Sequence, residues 1–219
     1  MLVRIITIDL LAGAALLFFW YVWFLRRSRR KSVQVTRWIE AAFREHATVS
    51  GLMWRSASCF QVQLKLAPSL FQRSCVVVQL FSWELPFNWL LSIIRKQQET
   101  LTFEADLDCP PSFNLEVHNH RWCGRTRRKL PSHSETWRLE HTGPYVLTTR
   151  NEWQREIMNM MNGLMASRDC DCLMVCFRRT SPHFSVTVPL QSIAPQNHSE
   201  LDIFNVLREL AAGASASRF

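Results

Sequence analysis

The stretch "HNHRWC" (118–123) puts two imidazoles and a thiol within six residues. On a strand, where side chains alternate between faces, His118 and His120 point the same way and Cys123 can fold back toward them. Two imidazoles and a thiolate form a zinc-type donor set, and Cys170, Cys172 and Cys176 offer further soft ligands. Zinc sites built on cysteine usually use C-x2-C pairs, and neither cluster contains one. Two solvent-side histidines and a few small buried thiols explain the same residues, so no cofactor is expected.

A different chemistry overlaps that cluster. In "RWCGRTRRK" (121–129), Arg121, Arg125, Arg127, Arg128 and Lys129 surround Gly124, with Trp122 beside them. Arginine presents a planar donor fork that matches carboxylates and phosphates, so an exposed turn of this kind can bind an anion. A phosphate, a lipid headgroup or a nucleic acid would each fit, and the turn could equally meet a partner; the alternative is a solvated hairpin loop.

Signs of catalysis are few. Glu104, Asp106 and Asp108 alternate as they would along one strand face, but a solvated face explains them equally well. Cys109 precedes Pro110 and Pro111 with no neighbouring base to activate it. There are six glycines, with no G-x-G-x-x-G, G-x4-G-K-[ST], G-x-S-x-G or H-E-x-x-H. An enzyme is therefore the lesser reading: a membrane-tethered one, or a metal binder, using His118, His120 and Cys123.

Composition sets the wider frame. The 219 residues are 47% hydrophobic and 20% charged, which suits a folded chain. The net charge of +8 is concentrated in two runs, the 121–129 turn and Arg26, Arg27, Arg29, Arg30 and Lys31. Outside these runs the chain is close to neutral, so it carries two basic patches on an otherwise balanced surface. Seven cysteines are an odd number without the spacing of a disulfide framework, which points to free, mostly buried thiols in a reducing compartment.

The first basic run closes an apolar segment. Ile5 to Leu25 are 21 residues with one charge, Asp9. As a helix at about 1.5 Å per residue, the segment matches the roughly 30 Å hydrocarbon core of a bilayer. Trp20, Tyr21 and Trp23 sit at one end, where amphipathic rings favour the membrane interface. A cleavable signal would end in small residues, whereas this run ends in Trp-Phe-Leu-Arg-Arg, so a retained signal anchor is expected. The positive flank places the downstream chain in the cytoplasm by the positive-inside rule.

Beyond the anchor, 33–47 has helical spacing and either continues the first helix or restarts it. Strand patterns follow at 59–67 and 74–83. Residues 85–98 read as a helix with Phe87, Leu90, Leu91 and Ile94 on one face. A core helix is the first expectation for it; a helix lying in the interface, with Arg95 and Lys96 at the headgroups, is the second. Further strands are expected at 101–107, 112–120, 135–141, 144–150, 172–180 and 183–190, with helices at 151–167 and 199–213.

The segment "GPYVLTTRNEWQREIMNMM", followed by a strand pair, resembles a pattern in bacterial membrane-anchored proteins of unknown function. The resemblance covers residues 143–190; it implies a membrane-tethered domain and supplies no catalytic residues.

The expectation is an α+β protein: a single transmembrane helix, then a mainly antiparallel sheet packed with helices. Residues 1–31 form the anchor and its basic flank, 32–213 the cytoplasmic domain and 214–219 a frayed tail. It would be single-pass in the inner membrane, and its partners would be the bilayer and a membrane or cytoplasmic protein rather than nucleic acid.

Overall fold

The computed structural model describes residues 2–44, 46–66, 70–81, 86–94, 97–111, 113–119, 137–142, 145–150 and 173–193, together with 205, 207, 208 and 210–212. Its longest element, α1 (Leu2–Phe43), runs 42 residues without a break. No Gly or Pro occurs between Ala14 and Phe43, and the basic run is made of good helix formers, so nothing interrupts the backbone hydrogen bonds. Residues 33–43 therefore continue the first helix.

Exposure divides α1 in two. Every residue from Arg4 to Phe19 is exposed, and the helix that holds them is long and, toward its N-terminus, apolar enough to cross a membrane. Further along, Phe24, Ser28, Ser32, Val35, Ile39 and Phe43 are buried, at steps of three and four residues. That is the stripe one helix face presents to a packing surface. The two serines keep the stripe thin, and Ser28 Oγ donates to the carbonyl of Ala57 at 3.0 Å.

The packing surface is a nine-stranded sheet. Its strands are β1 (Ala47–Ser56), β2 (Cys59–Leu66), β3 (Phe71–Gln79), β4 (Thr100–Leu107), β5 (Leu115–Asn119), β6 (Trp137–Thr142), β7 (Tyr145–Arg150), β8 (Met174–Phe177) and β9 (Phe184–Pro189). They lie in the order β1-β2-β3-β4-β9-β8-β5-β7-β6, and each adjacent pair is antiparallel. A meander of four strands is thus followed by the β8–β9 hairpin, inserted between β4 and β5. This is the expected α+β arrangement.

Alternation assigns the faces. On β4, Leu101, Phe103, Ala105 and Leu107 are buried, while the residues between them are half-exposed. Phe103 connects the layers: its ring is parallel to Phe43 of α1 at 6.1 Å and edge-on to Phe71 at 5.6 Å and to Phe184 at 6.2 Å. Aromatic pairs across neighbouring strands add to the burial of their area. Leu207, Leu210 and Ala211, in helical backbone near the C-terminus, close over the same core.

Two elements differ from the sequence reading. Strand β1 alternates only over its first half, where Ala47, Val49 and Gly51 are half-buried between exposed Thr48 and Ser50. Its last five residues are all exposed, Leu52, Met53 and Trp54 among them, because it is an edge strand with one neighbour. The other is α2 (Pro86–Ile94), whose apolar face was expected to pack on the core. Phe87, Leu90, Ile93 and Ile94 are exposed, Leu91 is half-buried, and the buried residue is Ser92.

Candidate functional site

The described residues bring candidate groups together in two places. The first is a collar where α1 leaves its apolar half. Residues Trp23, Arg26, Arg27, Arg30, Lys31 and Gln34 fall on one helix face and line a groove of about 500 Å3. The Arg27 guanidinium lies 5.6 Å from the ring centre of Trp23, a cation–π distance. Lys31 pairs with the carboxylate of Glu99, which is only 5% exposed. Backbone bonds hold the Glu99 segment in turn: the Leu190 N–H donates to the Glu99 carbonyl at 2.8 Å, and the Gln97 N–H to the Ser92 carbonyl at 3.0 Å. Trp20 meets Trp89 of α2 edge-on, ring centres 6.1 Å apart, and lies 5.7 Å from Trp23. Of the flanking residues expected from sequence, Tyr21 and Arg29 also lie on this helix and are exposed.

The second place is the outer face of the sheet. Glu116 on β5 accepts a hydrogen bond from Arg178 Nη2 at 2.9 Å and has His118 Nε2 3.7 Å away. His118, with help from Arg178, holds the Glu116 carboxyl below its usual range despite partial burial. Cys176 lies next to this group, and burial, reinforced by Glu116, pushes its thiol up to about 12. Such a thiol stays protonated at neutral pH and is a poor soft ligand or nucleophile. Burial likewise raises Cys75, whose Sγ lies 3.7 Å from Glu104 Oε2.

The carboxylates that alternate in sequence do share the outer face of β4, but they serve different neighbours. Glu104 meets Cys75, while Asp106 accepts a hydrogen bond from Ser181 Oγ at 2.7 Å. His183 Nδ1 accepts from the Leu107 N–H at 3.3 Å, which leaves that nitrogen no proton for Asp106 at 4.0 Å. Asp108 lies beyond the end of the strand. Cys75, Glu104, Asp106 and Ser181 border an open groove of about 510 Å3, whose lining also includes Gln61, Gln63 and Arg73. The groove mixes polar and apolar lining, Leu64, Leu66 and Pro182 included, and carries both signs of charge, so it is not an anion site.

Of the proposed metal set, His118 is engaged with Glu116, and His120 and Cys123 lie outside the described residues. Among the described residues no three His, Cys, Asp or Glu side chains are grouped to hold a metal. The basic turn, Arg121, Trp122, Arg125, Arg127, Arg128 and Lys129, also lies outside them, as do residues 151–172 of the segment that resembles anchored bacterial proteins. Cys59, Cys75, Cys109 and Cys176 are free thiols, though Cys176 alone of the four is buried and Cys109 is exposed. Neither a protein-family model nor a curated protein matches the chain.

Sequence reading found the cations of the collar but not Glu99 or Trp89. Glu99 carries a faint signal, as a lone carboxylate ahead of an alternating strand. Trp89 sits in an apolar stripe whose direction no periodicity reveals.

Proposed function

We propose that this is a single-pass inner-membrane protein whose sheet domain is held on the cytoplasmic side, where the collar binds anionic lipid headgroups and the outer face of the sheet receives a partner protein. The continuity of α1 is the observation that carries this reading. One helix exposes a mainly apolar first half and, in its second half, packs Val35, Ile39 and Phe43 into the core of the domain, so anchor and domain are joined without a linker. Arg26, Arg27 and Arg30 then fall at headgroup height, where a juxtamembrane cation contributes about 1 kcal/mol of attraction to an anionic surface. The orientation rests on the same cations, and the free thiols of the described residues agree with a reducing side. The basic turn at 121–129 would add to the headgroup-binding surface.

A reporter active only in the cytoplasm, fused after Phe219, tests the orientation. Activity in the membrane pellet is expected; a stable but silent fusion would place the domain outside. Anionic phospholipid that copurifies with the detergent-extracted chain should fall when Arg26, Arg27 and Arg30 are changed to Gln. Unchanged retention would remove the collar from the reading.

A further inference from the structure

The exposed apolar face of α2 departs from the first expectation, a core helix, and fits the second, a helix lying in the interface. A helix with Phe87 at 69% and Ile94 at 67% exposure would normally turn that face inward. Here the buried residue is Ser92, and the element carries no charged residue. The helix stands beside the end of the apolar half of α1, through the contact of Trp89 with Trp20. Trp20 precedes Arg26 by six residues, or about 9 Å along the axis, so Trp89 lies below the collar and level with the apolar segment. Helices that lie in a membrane interface sink their apolar face about 5–10 Å, and this depth agrees with that.

We infer that α2 is a second membrane contact: a short helix whose Phe87, Leu90, Ile93 and Ile94 enter the acyl–headgroup boundary of the leaflet crossed by α1. The inference rests on the anchor reading above. The lipid bilayer is its occupant, because Trp89 of α2 meets Trp20 at the end of the exposed apolar run of α1, six residues before the first cation of the collar. In sequence, Glu84 precedes the helix and Arg95 and Lys96 follow it, so the apolar stretch is bounded by charged residues along the chain.

The consequence is orientation. A single transmembrane helix fixes the height of a domain but leaves it free to swivel about the helix axis. A second contact beside the first stops that rotation. The Lys31–Glu99 pair, eleven residues beyond Trp20 on the domain side, ties α1 to the segment that follows α2 in sequence. The polar groove bordered by Glu104, Asp106 and Ser181 is then presented in one fixed direction relative to the bilayer.

Depth-dependent quenching of the full chain in vesicles of phosphatidylcholine mixed with phosphatidylglycerol tests this. An environment-sensitive fluorescent amino acid is introduced singly at Leu90, at Phe18 within the anchor, and at Gln63 on the outer face of the sheet. The inference expects blue-shifted emission at 90, lost to lipids that carry a quencher near the headgroup. It expects emission at 18 to be lost to quenchers deep in the acyl chains, and emission at 63 to be lost to neither. Quenching at 18 without quenching at 90 overturns the second contact and leaves the anchor standing. Blue-shifted but unquenched emission at 90 overturns it in favour of cover by protein, whether a second copy or a partner. Absence of quenching at 18 overturns the anchor, and the second contact with it.

Discussion

Two short helical stretches of this protein have similar apolar patterns and opposite surroundings. Near the C-terminus, Leu207, Leu210 and Ala211 lie at helical spacing and join the sheet's core, while Asn205 and Arg208 are exposed. In α2, Phe87, Leu90 and Ile94 lie at equivalent spacing and face outward. Periodicity says that a stripe exists and needs cover; it does not say whether the cover is protein or lipid. What separates the two is their neighbour. One joins the core cluster of the sheet, and the other stands beside Trp20 at the end of the apolar run of α1.

The comparison breaks most decisively at the core end. Leu210→Ala removes a buried side chain from a packed layer and should cost about 2–5 kcal/mol, read by urea unfolding of the detergent-solubilised chain. Ile39→Ala in α1 should cost a similar amount, since it closes the same core from the other helix. A loss much below this in Leu210→Ala would mean that the C-terminal stretch only rests on the sheet, and the contrast with α2 would vanish.

The joint between α1 and α2 should be the next most sensitive. Lys31→Ala leaves the Glu99 carboxylate buried without its cation, which in a fully enclosed pair would cost about 3–5 kcal/mol. The Lys31 side chain is 41% exposed, so water screens the pair and a loss of about 1–2 kcal/mol is expected. The double change Lys31→Ala with Glu99→Gln should recover much of that loss, because it removes the stranded charge along with its partner. Failure of the double variant to recover would point to packing by the lysine stem instead.

How far the fold could be read ahead depended on which force shaped each element. Strands β2 and β4 were legible because one face is buried and the other is not, so the alternation of Phe60, Val62 and Leu64 survives in the chain. The apolar half of α1 was legible because Ile5 to Leu25 carry a single charge, Asp9, so the run stands out without any periodicity. Strand β1 left no trace, since an edge with Leu52, Met53 and Trp54 exposed is shaped by its pairing with β2 more than by burial. The insertion of β8 and β9 between β4 and β5 could not be read, because strand order is set by which hydrogen-bonding edges meet and not by local pattern. At the collar the cations were plain, whereas Glu99 and Trp89 gain their meaning from contacts across 68 and 69 positions.

A smaller effect is expected on the outer face of the sheet, far from both helices. Glu116 is held below its ordinary value near 4.5, first by His118 and then by Arg178. Folding thus favours the ionised form, so the stabilisation is fully present above that value and is lost as pH falls through the lowered folded one. Glu116→Gln should cost less than about 1 kcal/mol at neutral pH, given the partial exposure of the pair. The gap between wild type and variant should close in acid, as unfolding midpoints measured from pH 7 to pH 3 would show. A gap that widens toward acid would mean that the carboxyl is favoured protonated and that the His118 contact carries little.

The smallest stability effect belongs to α2, and it is the sharpest test of the contrast. Leu90→Ala and Ile94→Ala truncate side chains that the rest of the protein does not cover, so each should change the unfolding free energy by no more than about 0.5 kcal/mol in detergent. Chemically these are the same change as Leu210→Ala: apolar side chains cut back on a short amphipathic helix. The difference in cost therefore measures the cover and not the residue. Had α2 packed against protein, the two sites would respond alike, and a loss of several kcal/mol at Leu90 would identify a core helix. With lipid or detergent as the cover, the truncated surface meets the same medium in the folded and unfolded chain, and little of the lost contact enters the folding free energy. The deficit should appear in vesicles instead, as weaker immobilisation of the domain against the bilayer.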